Sequence, residues 1–216
     1  MTAEDISRDT VRGQYTAGAV DGEAVKGYLE EENVPAGSRA ETFVALRAHI
    51  NNWRWANVPF FLRTGKRMQK KVSEIVIEFS ELPFSIIPSG GRNYGNKLVI
   101  QLQPEESIQL QVLAKEPGSG MHMLPVSLNL DLQQAFTERR AEAYERLLID
   151  VIRGRLTHFM RRDELEAAWA WAEPILEGWA KSGERPRGYT AGTFGPAAST
   201  ALMAREKNAV WAEESQ

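Results

Sequence analysis

Residues able to grip an anion are concentrated between Asn51 and Arg67 and in the short run that follows. Trp53, Trp55, Phe60 and Phe61 stand there beside Asn51, Asn52, Arg54, Asn57 and Arg63. The stretch closes on Gly65-Lys66-Arg67, with Lys70 and Lys71 next. Lysine offers a mobile point charge and arginine a planar fork, and both suit phosphate oxygens and hydroxyls. The order reads as an apolar wedge that pins a short cationic loop, which suits a phosphorylated or polyhydroxylated small molecule. By spacing alone a second reading stays open: a solvated turn beside an edge strand, where lysines deter sheet pairing.

Other chemistry is sparse. Gly118-Ser119-Gly120 begins a G-x-G, but position 123 is Met and no strong helical pattern follows. Gly65-Lys66 continues with Arg67 and lacks the earlier glycine of a P-loop. Neither nucleotide fingerprint is complete. His49, His122 and His158 have no second His or Cys at ligand spacing, so no metal site is expected. His158 lies near two arginines in sequence, which would disfavour its charged form if they were close in space. No Ser–His–Asp arrangement can be argued. Asp163-Glu164 reads as a helix start and Glu30-Glu31-Glu32 as a solvated loop.

Composition narrows the partners. Lys+Arg 26 against Asp+Glu 29 argues against a general polyanion binder. Aromatic residues beside basic ones suggest a single-strand-binding module, but the charge balance speaks against nucleic acid. The chain has no cysteine, hence no disulfide frame or thiolate nucleophile, which fits the cytoplasm. No secretory h-region and no membrane-length apolar run is read.

The elements that must position the cationic run follow from periodicity. Residues 1–39, broken by Gly13, Gly18, Gly22, Gly27 and Pro35, read as irregular. Glu41–Ile50 and Val72–Phe79 read as strands, followed by a loop with Pro83, Pro88, Gly90, Gly91 and Gly95. Leu98, Ile100 and Leu102, then Ile108, Leu110, Val112 and Ala114, alternate with neighbours that include Gln101, Gln103, Gln109 and Gln111. Pro104-Glu105-Glu106 between them reads as a hairpin turn. The apolar face is expected under helices. The amide face meets either water or a second copy of the sheet. Tyr144, Leu147, Leu148, Val151 and Ile152 mark one helix, with Gly154 as its stop. Leu165, Ala168, Trp169, Ala172, Leu176 and Trp179 mark another, to be kinked or divided at Pro174. Gly183–Gly195 reads as a loop and Pro196 to about Arg205 as a last helix. Strands first and helices after argue for an α+β fold in one domain, residues 1–216.

Several blocks then carry a resemblance. Val11-Arg12-Gly13-Gln14-Tyr15-Thr16-Ala17-Gly18, Gly27-Tyr28-Leu29-Glu30-Glu31-Glu32, Glu41-Thr42-Phe43-Val44-Ala45 and the run from Asn52 to Arg67 come first. Gln103-Pro104-Glu105-Glu106, Lys115-Glu116-Pro117-Gly118 and Ala143-Tyr144-Glu145-Arg146-Leu147-Leu148 follow. Phe159-Met160-Arg161-Arg162-Asp163-Glu164, Ala168-Trp169 and Ala191-Gly192-Thr193-Phe194-Gly195-Pro196 close the series. Together they resemble the C-terminal domain of bacterial glucose-6-phosphate dehydrogenase, in order and over nearly the full chain.

The resemblance implies a large, mostly antiparallel sheet with helices packed on one face and a homo-oligomer built through the other. It implies an enzyme that oxidises glucose 6-phosphate to the lactone with NADP, the first step of the pentose phosphate pathway. In such enzymes Lys66 and Lys71 would contact the sugar phosphate, Gln103 would contact substrate in some members, and Arg63, which opens the same block as Lys66, would be a further substrate-binding residue. No catalytic residue is expected here, because the family's histidine and its NADP-binding unit lie upstream. The chain alone is therefore expected to be inactive, and the alternative is a purely structural dimerisation module. A structural NADP on this domain is not expected. The positions that would hold it carry Gln101, Gln109, Gln111 and Phe194, although Lys115 and Trp211 keep the family's residue type.

Overall fold

The computed structural model describes residues 3–80, 95–132, 143–206 and 209–211. They fall into two units, one of residues 1–70 with 147–216 and one of residues 71–146. The loop expected around Pro83, Pro88, Gly90 and Gly91 lies outside the described residues.

Residues 3–30 hold a succession of short elements rather than irregular chain. Helix α1 (Ala3–Asp9) leads into strand β1 (Thr10–Thr16), a small hairpin of β2 (Gly18–Val20) and β3 (Glu23–Val25), and a 3-10 turn at Tyr28–Glu30. Gly13 sits inside β1, where a Cβ would approach Phe43 Cβ and the carbonyl of Arg187 to 3.2 Å. Its glycine serves close packing, not a break. Strand β4 (Phe43–His49) pairs antiparallel with β1 and with β5 (Pro59–Gly65). Residues 59–65, expected as part of a wedge and loop, are thus an edge strand. At the other edge β10 (Arg187–Thr190) runs parallel to β1, inside the segment expected as a loop.

Alternation along β4 feeds two cores. Phe43 and Ala45 join Tyr15, Tyr189, Trp211 and Leu202 of helix α4 (Ala197–Met203). Leu46, flanked by Val44 and Ala48, joins Ile6 of α1 and Ile175 and Trp179 of helix α3 (Arg162–Ser182). Helices therefore cover both faces of this sheet, where one covered face is expected. Gly178 lets α1 approach α3, since a Cβ there would come within 2.5 Å of Ile6 Cδ1. The indole Nε1 of Trp179 donates to Thr10 Oγ1 at 2.9 Å, and that hydroxyl donates to the Ile6 carbonyl at 2.6 Å. The buried polar atoms of this core thereby satisfy one another.

Helix α3 continues through Pro174 as one element and ends at Gly183 in the left-handed region. Only Ile175 and Trp179 of it are buried. Leu165, Trp169 and Leu176, expected to face inward, are exposed, because α1 and the sheet meet only the C-terminal half. Helix α2 (Ala143–Ile152) likewise leaves Leu148, Val151 and Ile152 exposed. Past its end, His158 Nδ1 lies 2.6 Å from Oδ2 of buried Asp150. A carboxylate, rather than the neighbouring arginines, is its partner.

The second unit is an antiparallel sheet of β6 (Ser73–Glu78), β7 (Lys97–Gln103), β8 (Ser107–Lys115) and β9 (Met123–Asp131). The expected hairpin joins β7 and β8. Its register stacks Ile75, Ile100, Ile108 and Leu130 across the sheet, and Ile77, Leu98, Leu110 and Leu128 beside them. Gln101, Gln109 and Gln111 lie on the other face. Among the described residues of this unit no helix lies over the apolar face: Ile75, Ile77, Leu128 and Leu130 are exposed, whereas those glutamines are half-buried. The α+β class holds, with the strands divided between two four-stranded sheets and the β2–β3 hairpin.

Phe43, 1% exposed at the centre of the first unit, sets an expectation for stability. Phe43→Ala should cost about 3–5 kcal/mol, read as a lowered midpoint in urea unfolding. A loss within 1 kcal/mol would mean that the ring is not enclosed as described.

Candidate functional site

The cationic block begins at the end of β5. Gly65 pairs with Phe43, and a Cβ on it would meet Met68 Sδ at 2.7 Å and Phe43 Cδ2 at 2.8 Å. Only glycine lets the strand run this close to the ring. The chain then turns. The amide of Lys66 donates to the Thr42 carbonyl at 2.8 Å, and the hydroxyl of Tyr189 donates to the Lys66 carbonyl at 2.6 Å. Arg67 adopts a left-handed φ of 52°. Its carbonyl accepts from the Gly192 amide at 2.8 Å, and Gln69 donates to the Thr193 carbonyl at 3.2 Å. The backbone on both sides of Lys66 is thus tied to Thr42, just before β4, to Tyr189 of β10 and to the loop after it, while its side chain is exposed. A lysine on a fixed backbone is a point charge with a defined origin.

The tyrosines beneath are neutral donors. Tyr189, 4% exposed, packs against Phe43 at 5.5 Å between ring centroids and against Tyr15 at 6.4 Å. Its oxygen also lies 3.2 Å from both Thr42 Oγ1 and the Thr42 carbonyl. Burial pushes its pKa above the ordinary tyrosine value. Burial, with the Glu31 carboxylate that accepts its hydroxyl at 3.0 Å, does the same for Tyr15. Glu31 also lies 3.6 Å from Arg67. The carboxylate run expected to be merely solvated therefore orients a tyrosine and an arginine.

The tryptophans do not pin the loop. Trp53 is 91% exposed, and Trp55 packs edge-on against Phe60 at 5.3 Å, at the far end of β5. That strand separates them from Lys66 by about 20 Å. Trp53 and Trp55 instead line an open depression of about 580 Å³ with Arg47, His49 and Glu206. Tyr189, Thr42 and Phe43 do the pinning. The sequence reading missed Tyr189 because it lies 147 residues from Thr42 and acts on a carbonyl, which every residue carries.

Arg63 points elsewhere. Its guanidinium lies 4.3 Å from the centroid of buried Trp211, whose indole also meets Phe61 and donates to the Ser199 carbonyl at 3.2 Å. Lys71 and Gln103 belong to the second unit. Gln103 ends β7 opposite Ser73, whose Oγ lies 3.5 Å from Gln103 Oε1. Lys71 precedes Ser73 by two residues, so both exposed side chains stand at the same end of that sheet. Of the positions considered for a second dinucleotide, Gln111 Nε2 donates to Gln109 Oε1 at 3.3 Å. Lys115 Nζ donates to the carbonyls of Glu116 and Gly118 at 2.9 and 2.7 Å. Among the described residues no group of carboxylates and histidines is placed to hold a metal, and no helix is long and apolar enough to cross a membrane.

Comparison with known proteins extends the geometry. Residues 1–212 match the family model described as "Glucose-6-phosphate dehydrogenase, C-terminal domain". The chain is 56% identical over 207 residues to glucose-6-phosphate 1-dehydrogenase of Mycolicibacterium smegmatis, and 53% identical over 208 residues to that of Rhizobium meliloti. Each alignment takes in 95% of this chain and 42% of the relative. A solved glucose-6-phosphate dehydrogenase in complex with its substrate glucose-6-phosphate superposes with a TM-score of 0.82 at 30% identity, over 94% of this chain and 43% of that one. The crystal structure of the Mycobacterium avium enzyme gives 0.73 at 32% identity, over 97% and 42%. The chain thus spans about two-fifths of the length of the relatives it matches.

The buried hydroxyls predict a pH effect. The pKa of Tyr189 is raised in the folded state, so the folded protein keeps a proton that the unfolded chain releases above the ordinary value of 10.0. Stability is unaffected below that pH and falls as pH rises beyond it. Tyr189→Phe should make the urea midpoint decline less steeply above pH 10. An identical slope would show that the phenol ionises freely.

Proposed function

This chain belongs to the family of glucose-6-phosphate dehydrogenase C-terminal domains, and from that premise we propose that it supplies the sugar-phosphate grip of such an enzyme. The reaction is oxidation of glucose 6-phosphate at C1 to 6-phosphogluconolactone in the cytoplasm. NADP, when bound, accepts the hydride. The residues that hold it, and the histidine that takes the C1 hydroxyl proton, are proposed to belong to protein outside these residues. The residues of this chain do not fit a second, structural NADP: the amides of Gln101, Gln109 and Gln111 bring no charge to a 2′-phosphate, and Trp211 is buried beneath Arg63.

In this reading Lys66 and Lys71 neutralise and orient the phosphate, and Gln103 contributes a neutral hydrogen bond to the substrate. Arg63 acts from behind, holding β5 against Trp211. None of them moves a proton. Their work is positioning and electrostatic stabilisation. The observation that carries the proposal is the tied backbone of Lys66 with its exposed ammonium.

A second reading, an oligomerisation module, is favoured by the half-buried amide face of the second sheet. Gln111 donates to Gln109 there, and Lys97 pairs with Glu78 on the same face, so part of its polar surface is already partnered where a second copy would meet it.

In the full-length enzyme Lys66→Ala should raise KM for glucose 6-phosphate roughly tenfold to a hundredfold, the size of a charge-assisted hydrogen bond. KM for NADP should stay unchanged. An unaltered sugar-phosphate KM would remove Lys66 from the site. The 216-residue chain alone, given glucose 6-phosphate and NADP, should form no NADPH above the buffer rate, and measurable turnover would refute the division of labour proposed here.

A further inference from the structure

We propose that Tyr189 is a positioning residue for Lys66, acting through the Lys66 carbonyl; this rests on the reading that Lys66 grips the sugar phosphate. The hydroxyl is buried, donates its one proton to that carbonyl at 2.6 Å, and lies 3.2 Å from Thr42 Oγ1, which can donate to it. Thr42 in turn receives the Lys66 amide on its own carbonyl. Both ends of the Lys66 residue therefore close on one Thr42–Tyr189 pair. The two neighbours of Lys66 have little freedom to compensate: Gly65 is pressed against Phe43, and Arg67 holds a left-handed φ. Rotation of the peptide after Lys66 would swing its Cα–Cβ bond and the reach of the ammonium.

The chemistry points to a hydroxyl rather than to the ring alone. A phenylalanine at 189 would keep the contacts with Phe43 and Tyr15 yet leave the Lys66 carbonyl without its donor. A tyrosine is also a neutral donor on both sides of pH ~6, where a phosphate monoester gives up its second proton, so the clamp does not titrate with the ligand. Tyr15 provides an internal comparison. It lies in the same aromatic cluster and has a raised pKa from burial, but its hydroxyl goes to Glu31 and not to Lys66.

The test uses the full-length enzyme and steady-state kinetics in glucose 6-phosphate. Tyr189→Phe should raise the sugar-phosphate KM roughly threefold to tenfold, with kcat and KM for NADP within twofold of the parent. On a Lys66→Ala background the same substitution should add nothing, whereas Tyr15→Phe should leave the sugar-phosphate KM unchanged. If Tyr189→Phe lowers the folded fraction at the assay temperature, Thr42→Val tests the other anchor of the hydroxyl and should shift KM in the same direction. A rise with Lys66→Ala but none with Tyr189→Phe or Thr42→Val would overturn the positioning role and leave the proposed site standing. No rise with Lys66→Ala would overturn both. A Tyr189→Phe effect that persists undiminished on the Lys66→Ala background would also overturn it, since the hydroxyl would then be acting through another group.

Discussion

The first unit is organised around one phenylalanine ring and the glycines that touch it. Phe43 is approached by Gly13 from β1, by Gly65 from the end of β5 and by Gly195 from the loop after β10. A Cβ at these positions would come within 3.2, 2.8 and 2.3 Å of Phe43 atoms. Each glycine gives up backbone entropy on folding in exchange for direct contact between main chain and ring. The convergence brings residues far apart in sequence to one place, and Gly65 is the residue immediately before Lys66. The position of the lysine backbone is therefore set by the packing of a buried ring. It does not depend on the exposed tryptophans that precede it in the chain.

The same strand end sorts its cations by their physical character. Arg63 lies over Trp211, where a weakly hydrated planar guanidinium can be half-buried at little cost. The ammonium of Lys66 stays in water, and Arg67 turns back towards Glu31. Strand alternation separates Arg63 from Lys66 by parity. The left-handed residue at 67 then changes direction before the chain reaches Lys71. Arg63, Lys66 and Arg67, which look like uniform positive charge along the sequence, are in space three differently directed groups, and Lys66 carries the proposed ligand contact.

Much of the fold could be read from residue order, and the failures have identifiable causes. Strands β4, β6, β7 and β8 were legible because their alternation is uninterrupted, as were α2 and the start of α3. Strand β1 was hidden by Gly13, which looks like a breaker until Phe43 is known to lie against it. Strand β5 was hidden because Phe60, Phe61 and Arg63 suggest an aromatic wedge when the burial of Trp211 is unknown. Pro174 suggested a division of α3 that the helix does not show. For the candidate site, the cationic run was visible in the residue order, but spacing alone favoured a solvated turn, and the substrate roles of Lys66, Lys71, Gln103 and Arg63 rested on family resemblance. That Arg63 faces a tryptophan near the C-terminus is a long-range fact with no local signal.

The pattern also shows what kind of information a sequence withholds. Periodicity of two identified the aliphatic and amide faces of the second sheet, because side-chain direction is a local property of an extended backbone. It could not say what covers either face, because that depends on surfaces distant in the chain. The clamp on Lys66 is withheld for a different reason. Its acceptor is a peptide carbonyl, identical at every position, and its donor is one tyrosine among several. Only the placing of β10 parallel to β1 brings the Tyr189 hydroxyl over that particular carbonyl. A positioning group of this kind has no motif of its own. It is found by asking of each buried hydroxyl which backbone it holds, and what side chain that backbone carries.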